Sequence, residues 1–346
     1  MSVTTVAALA LGACAGSSDD TSAETPPPSE AEAEAETTPT AAPADEPSTT
    51  EESTPTSVAI PAPSPIVLTA PALYPEGLTF DPVGDRFIIG TLLGGELLAV
   101  DDDGSISTLA ESPGSNLTGV EVDVERNRVL VAVTRVPWGV AQLSVHDLDS
   151  GEQLQLVDFA SVLPEERRFA NGIAVDVEGN IYVTDTGAGV IYAVDSAYTP
   201  SVFAENDAFE PDRSGITASG LNGLVYVGDA LIVGHAPSGQ LFRVPLSNPG
   251  EATAIPTGVD GMRIDGLHMS DDGGTLAVVS NLGSVHLFES ADDWSTVSEV
   301  GRFDVGDSFP TSVTDRAGTF FVLQAHLDEA PDPAVDTFEI VPVLVD

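Results

Sequence analysis

Asn171-Gly172-Ile173-Ala174-Val175-Asp176, followed by Asn180-Ile181-Tyr182-Val183-Thr184 and Gly189-Val190-Ile191-Tyr192-Ala193-Val194, is the stretch whose reading decides the fold. A polar and a small residue open an alternating strand; a turn leads to a second strand, and a Gly-containing turn leads to a third. The opening recurs at Glu76-Gly77-Leu78, Thr118-Gly119-Val120, Asn222-Gly223-Leu224, Asp265-Gly266-Leu267 and Thr311-Ser312-Val313, each with second strands in step, such as Arg86-Phe87-Ile88-Ile89 and Thr275-Leu276-Ala277-Val278. The six starts are spaced by 42, 53, 51, 43 and 46 residues, the length of a four-stranded propeller blade. No long helical period interrupts them, and a β-sandwich would not need one opening reused at every repeat. The expected fold is therefore all-β, a six-bladed propeller over residues 65–346.

The last repeat has 36 residues left from Thr311, too few for a full blade if its final strand is Phe338-Glu339-Ile340-Val341-Pro342-Val343-Leu344-Val345. Pro65-Ile66-Val67-Leu68-Thr69-Ala70 can supply the missing outer strand and hide an edge that would otherwise be open to pairing.

Upstream, the composition changes. All twenty aromatic residues lie at or after Tyr74, and ten of the 26 prolines fall between Pro26 and Pro65. Residues 15–64 are Ala, Glu, Thr, Ser, Pro and Asp almost throughout, too poor in apolar surface to offset the entropy of ordering, and are expected to form a disordered acidic tether. Cys14, the chain's one cysteine, excludes an intrachain disulfide. It ends the apolar run Val3–Ala13, which fits a secretory h-region. Leu11-Gly12-Ala13-Cys14 resembles the lipobox of bacterial lipoproteins, implying lipidation at Cys14 and a secreted protein anchored to the cell envelope; a chance Cys in a plain signal peptide is the simpler alternative. No Lys or Arg precedes the h-region, which is unusual for either reading.

Charge removes whole classes of partner. The chain carries 11 basic and 55 acidic groups, a formal net charge of -44, and every basic residue is Arg. Such a surface repels phosphate backbones and anionic lipid, so nucleic-acid binding is excluded and membrane contact is expected only through a lipid anchor. The remaining expectation is a monomer that takes a small molecule.

In a propeller the first strand of each blade is innermost, so the residues that open the repeats converge at one end of the central channel. Those are Glu76, Thr118, Asn171, Asn222, Asp265 and Thr311, each with a side-chain oxygen, with two formal negative charges among them. No nitrogen or sulfur donor that would favour zinc or copper is present. The set suits a hard cation, and Ca2+ accepts irregular oxygen shells that Mg2+ does not. Singly, Asn-Gly and Asp-Gly are ordinary turn dipeptides; their coincidence in register is what points to a site.

With these residues in place, the folded region resembles the gluconolactonase and senescence-marker-protein family of six-bladed calcium propellers, related more distantly to paraoxonase and diisopropylfluorophosphatase. The resemblance implies that Glu76, Asn171, Asn222 and Asp265 hold Ca2+. Tyr74-Pro75-Glu76-Gly77 and Phe309-Pro310-Thr311-Ser312-Val313 resemble the calcium-dependent phosphotriesterase-like branch of that superfamily. The implied activity is hydrolysis of lactone or phosphoester-type small molecules, with Asp265 as base or nucleophile and His268, three residues on along the same strand, beside it. Sugar lactonases of the family carry an Arg two residues before the first metal Asn. Here Phe169 stands in that place and Arg168 is shifted by one, which argues against aldonolactones. A non-catalytic ligand- or protein-binding propeller with structural Ca2+ is the alternative. His235 and His326, near the ends of second strands, are further candidates for the channel mouth with Thr118 and Thr311, whereas His146 and His286 read as structural. Trp138 and the insertion Asn206–Gly220 are candidates to cover the pocket.

Overall fold

The computed structural model describes residues 63–112, 115–135, 139–164, 167–213 and 219–344. The signal and lipobox ending at Cys14, the tether up to residue 62, and Trp138 lie outside the described residues.

Six four-stranded antiparallel sheets make up the body, as the repeat spacing predicts. Their innermost strands are Pro75–Asp81, Asn116–Asp123, Ala170–Val175, Leu221–Val227, Ile264–Met269 and Pro310–Arg316. In the first five blades the strands follow one another outward in chain order. The sixth is built from both ends of the body: Ile66–Thr69 lies on the outside of Thr337–Pro342, with Ile66 opposite Ile340 and Leu68 opposite Phe338. Ile66 and Leu68 are buried while Val67 and Thr69 face out, so alternation sets this register. One boundary differs from the sequence expectation. The last strand ends at Pro342 rather than running through Val345, because proline has no N–H to give the ladder and the next N–H, that of Val343, turns to the Phe320 carbonyl at 2.7 Å.

There is no single central core. Apolar side chains pack in the seams between blades, as where Leu130 and Val145 of the second blade meet Ile173, Val183 and Tyr192 of the third, with Phe159 stacked on Tyr192 at 4.1 Å. At the far end of several inner strands an Asp ties the first turn of its blade. Asp81 accepts from the N–H groups of Val83 and Gly84 and from Arg86 Nε at 2.9 Å, and Asp123 pairs with Arg128 at 2.8 Å.

The near end of every inner strand carries the same irregularity. Each ladder between first and second strands shifts register at the repeat opening: between Pro75 and Gly77, Leu117 and Val120, Ala170 and Ile173, Leu221 and Leu224, Ile264 and Leu267, and Pro310 and Val313. A bulge of this kind bends the strand and re-aims its side chains, here toward the channel. The small residue in each bulge meets the neighbouring blade. A Cβ on Gly77 would lie 2.1 Å from the Thr118 carbonyl oxygen, and one on Gly119 would lie 2.2 Å from that of Asn171. Gly172, Gly223 and Gly266 face the carbonyls of Asn222, Asp265 and Thr311 in the same way. Where the sixth blade meets the first, Ser312 stands in the glycine position and donates its hydroxyl to the Glu76 carbonyl at 2.7 Å.

Gly119→Ala should therefore cost about 2–3 kcal/mol, because the new methyl meets backbone rather than a mobile side chain. Gly250→Ala, where nothing lies within 4 Å of the added atom, should be near neutral. Equal thermal midpoints for the two variants would refute the idea that the inner glycines set the blade spacing.

Candidate metal centre

The bulges turn Glu76, Asn171, Asn222 and Asp265 onto one cavity of about 40 Å³, room for an ion or a water rather than for an organic molecule. Below the polar rim its wall is apolar, formed by Leu78, Val120, Ile173, Leu224, Leu267 and Val313, the residues two positions after each opening. Neither Lys nor Arg reaches the lining.

Both carboxylates are buried. Burial, and after it the charge of Asp265, push the Glu76 carboxyl well above its ordinary value. Burial raises Asp265 to about 6, against the hydrogen bonds from Asn281 and Asn222 and the charge of Arg263, which act to lower it. Asn281 Nδ2 donates both to Asp265 Oδ2 at 2.5 Å and to the Pro310 carbonyl at 2.8 Å, so one carboxylate oxygen is fixed to the neighbouring blade. Asn171 Nδ2 donates to Thr186 Oγ1 at 3.1 Å, which orients its amide. Thr186 in turn donates to the Leu221 carbonyl at 2.6 Å.

Two carboxylates and two amides around an ion-sized space, with no basic side chain in its lining, form a donor set that fits a hard divalent cation. Among the described residues no group of three or more His, Cys, Asp or Glu side chains is arranged to hold a metal, so an ion at this ring would be held half by amide oxygens.

The other candidates divide. His268 lines the same cavity and the continuation of the channel beneath it, a further 150 Å³. Burial lowers it to about 4 against the raising effect of Asp315, so it is neutral at physiological pH. Thr118 and Thr311 do not line the cavity; their hydroxyls donate to the carbonyls of Ala170 and Glu76, each at 2.8 Å, and hold adjacent blades together. His235 is buried away from it against Phe242, bonded to Ser238 Oγ at 2.8 Å. His326 pairs with Glu329 at 2.8 Å and meets the edge of Phe338. His146 and His286 are buried in networks with Ser144 and with Ser284 and Glu299. Arg168 gives its guanidinium to the Gly139 carbonyl at 3.1 Å and lies 3.9 Å from Asp158, facing the second blade. From the insertion, Phe209 is buried against Phe242.

Sequence reasoning missed Glu121. It lines both parts of the channel, and burial, then the charge of Asp123, raise it to about 8. Its position, three after the repeat opening, is also that of His268; the other blades place Thr79, Ala174, Val225 and Thr314 there. Aligning that column would have found it.

No family model matches the chain, and no curated protein matches it. Solved structures do. The major allergen Mala s 1 of Malassezia sympodialis superposes with a TM-score of 0.68 at 18% identity, over 82% of this chain and 96% of that one. A gluconolactonase of Xanthomonas campestris gives 0.58 at 16% identity, over 81% and 89%. Regucalcin, a calcium-binding protein of Agrobacterium tumefaciens, gives 0.55 at 19%, over 79% and 92%. These likenesses show a shared fold: the chain has the six-bladed architecture of the gluconolactonase and regucalcin propellers, in agreement with the resemblance read from its motifs.

The Glu121 shift has a measurable sign. The folded state holds this proton up to about pH 8 while the unfolded chain releases it near 4.5, so between those values the native state binds more protons and stability falls as pH rises. In chelator, Glu121→Gln should gain about 1–3 kcal/mol on wild type between pH 5 and 8.5. Parallel stability curves would place the Glu121 carboxyl in water.

Proposed function

We propose that this chain is a Ca2+-dependent hydrolase of lactone or phosphoester-type small molecules, a monomer held at the cell envelope by lipid on Cys14. The observation that carries the reading is the ring of Glu76, Asn171, Asn222 and Asp265, two carboxylates and two amides that line one cavity into which no Arg or Lys side chain reaches, three of them buried and Asn222 half-buried. The shared fold with a gluconolactonase and with calcium-binding regucalcin supports it.

Glu76, Asn171, Asn222 and Asp265 would hold the ion, which when bound supplies Lewis-acid polarisation of a carbonyl or phosphoryl oxygen. The chain's own contribution centres on Asp265. Asn281 fixes its Oδ2, and its carboxyl is positioned to accept the proton of an attacking water. Neutral His268 lies one step deeper in the channel, where it can accept a proton but does not compete with the ion by charge.

A second reading, a non-catalytic binding propeller, draws on one observation: the cavity at the ring is only about 40 Å³, small for an organic ligand, which would then sit at its mouth. Two variants separate the readings. Glu76→Gln should weaken Ca2+ binding and remove most of the Ca2+-dependent gain in thermal midpoint, which follows from mass action on the native state. Asp265→Asn keeps a carbonyl ligand and should retain measurable Ca2+ binding while hydrolysis, found by screening lactones and paraoxon with Ca2+ and with chelator, falls by at least about 100-fold. If neither substitution changes Ca2+ affinity in calorimetric titration, the ring is not the metal site.

Cys14→Ser tests the anchor. It should shift the protein from the membrane fraction to the soluble one with its folding unchanged; a wild type that is already wholly soluble removes the lipid from the proposal.

A further inference from the structure

Among the described residues Arg86, Arg126, Arg128, Arg168, Arg213, Arg243 and Arg316 are seen paired with carboxylates. Arg263 is not one of them. Among the described residues its guanidinium makes no ion pair or hydrogen bond; it lies over the ring of Phe309, 6.0 Å from the centroid. In a chain with 55 acidic groups, Arg302 likewise shows no ion pair among the described residues, but Arg263 stands two residues before Asp265, near enough for its charge to favour the Asp265 carboxylate.

Its surroundings are built. The Arg263 N–H donates to Ser280 Oγ at 3.1 Å, and its carbonyl accepts from the Asn281 N–H at 3.0 Å. The Asn281 side chain then bridges Asp265 and the Pro310 carbonyl. Phe309, the platform beneath the guanidinium, immediately precedes Pro310 and has φ +55, a left-handed conformation uncommon for an aromatic residue and found where surrounding structure enforces it. One residue, Asn281, thus links the base of Arg263, the base of its aromatic platform and the carboxylate at the ring. With no ion pair or hydrogen bond among the described residues to occupy it, the planar fork of this guanidinium matches a carboxylate. Arg168, the arginine next to the place where sugar lactonases carry theirs, is committed to the Gly139 carbonyl and Asp158.

We propose that Arg263, which lies over Phe309 two residues before Asp265, recognises a carboxylate on the ligand, so that the substrates of this site are lactones or esters that bear a carboxylate group. A singly charged carboxylate fits one guanidinium; a phosphate dianion would bring more repulsion from Glu76 and Asp265. The word substrate here rests on the hydrolase reading, but recognition of the carboxylate does not.

The test is calorimetric binding to the full chain, saturated with Ca2+, of 5-oxotetrahydrofuran-2-carboxylate and of its carboxamide, which differ in charge and hardly in shape. Wild type should bind the carboxylate at least about tenfold tighter, the worth of a charge-assisted fork. Arg263→Gln should erase that preference and leave carboxamide affinity unchanged, and Arg263→Lys should restore only part of it. A carboxylate that does not bind, equal affinities in wild type, or a Gln variant that weakens both probes alike would overturn the proposal. If Arg263→Gln fails to fold, Arg263→Lys decides in its place: a preference as large as that of wild type would show that the guanidinium does not make it. Turnover of the carboxylate, measured in parallel, keeps the two ideas apart: selective binding without hydrolysis defeats the hydrolase reading and leaves Arg263 as a recognition residue.

Discussion

Around the channel, five of the six blades touch the next through a glycine whose α-carbon faces a backbone carbonyl, at a distance where a methyl group would overlap the oxygen. This contact sets how closely the inner strands approach and hence the width of the channel. It also explains why the position before each glycine is useful. The bulge that brings the glycine to its neighbour points the preceding side chain at the axis, so the packing that closes the propeller gathers Glu76, Asn171, Asn222 and Asp265. Fold and candidate site are consequences of one repeated two-residue device.

The sixth seam shows what the device requires. It joins chain ends rather than consecutive blades, and there Ser312 replaces glycine while Thr311 and Ser312 both donate to the Glu76 carbonyl. Hydrogen bonds substitute for close apposition at the junction that chain connectivity does not enforce. On the outside of that blade, Ile66–Thr69 completes the sheet. The first and last strands of the described body hold the ring shut, and Glu76, the carboxylate nearest that junction, is held through its own backbone.

Much of this was legible in the sequence because it repeats. Six polar-small openings at blade spacing specify the architecture, and the shortage of residues after Thr311 specifies which strand must close it. The ring was readable because its members occupy the same column of the repeat. What escaped was whatever does not repeat. Asn281 lies in a turn after a second strand, and nothing in Ser280-Asn281-Leu282 says that its amide reaches Asp265. Glu121 sits in a column filled elsewhere by Thr, Ala, Val and His, where one acid among small residues looks like a solvent-facing alternation. Thr118 and Thr311 illustrate the opposite error of equivalence. They share the ring column, but a short β-branched hydroxyl finds a neighbouring carbonyl before it finds the axis, so their oxygens serve blade contact rather than the cavity.

The same axis shows how charge restricts the occupant. Looking down the channel, the ionisable groups are Glu76 and Asp265 at the ring and Glu121 and His268 below it. At neutral pH the environment keeps His268 uncharged and Glu121 protonated, so two negative charges at most remain to be balanced, both at the ring. A monovalent ion would leave one carboxylate uncompensated or sharing a proton in a buried site, which is costly. A trivalent ion would leave a buried excess of positive charge beside apolar walls. A divalent ion would match the two carboxylate charges, and the equal split between carboxylate and amide donors suits an ion that accepts weak neutral oxygens at irregular angles. With those two charges matched, the guanidinium of Arg263, near enough for its charge to act on Asp265, would attract an anion arriving from solvent past an acidic surface.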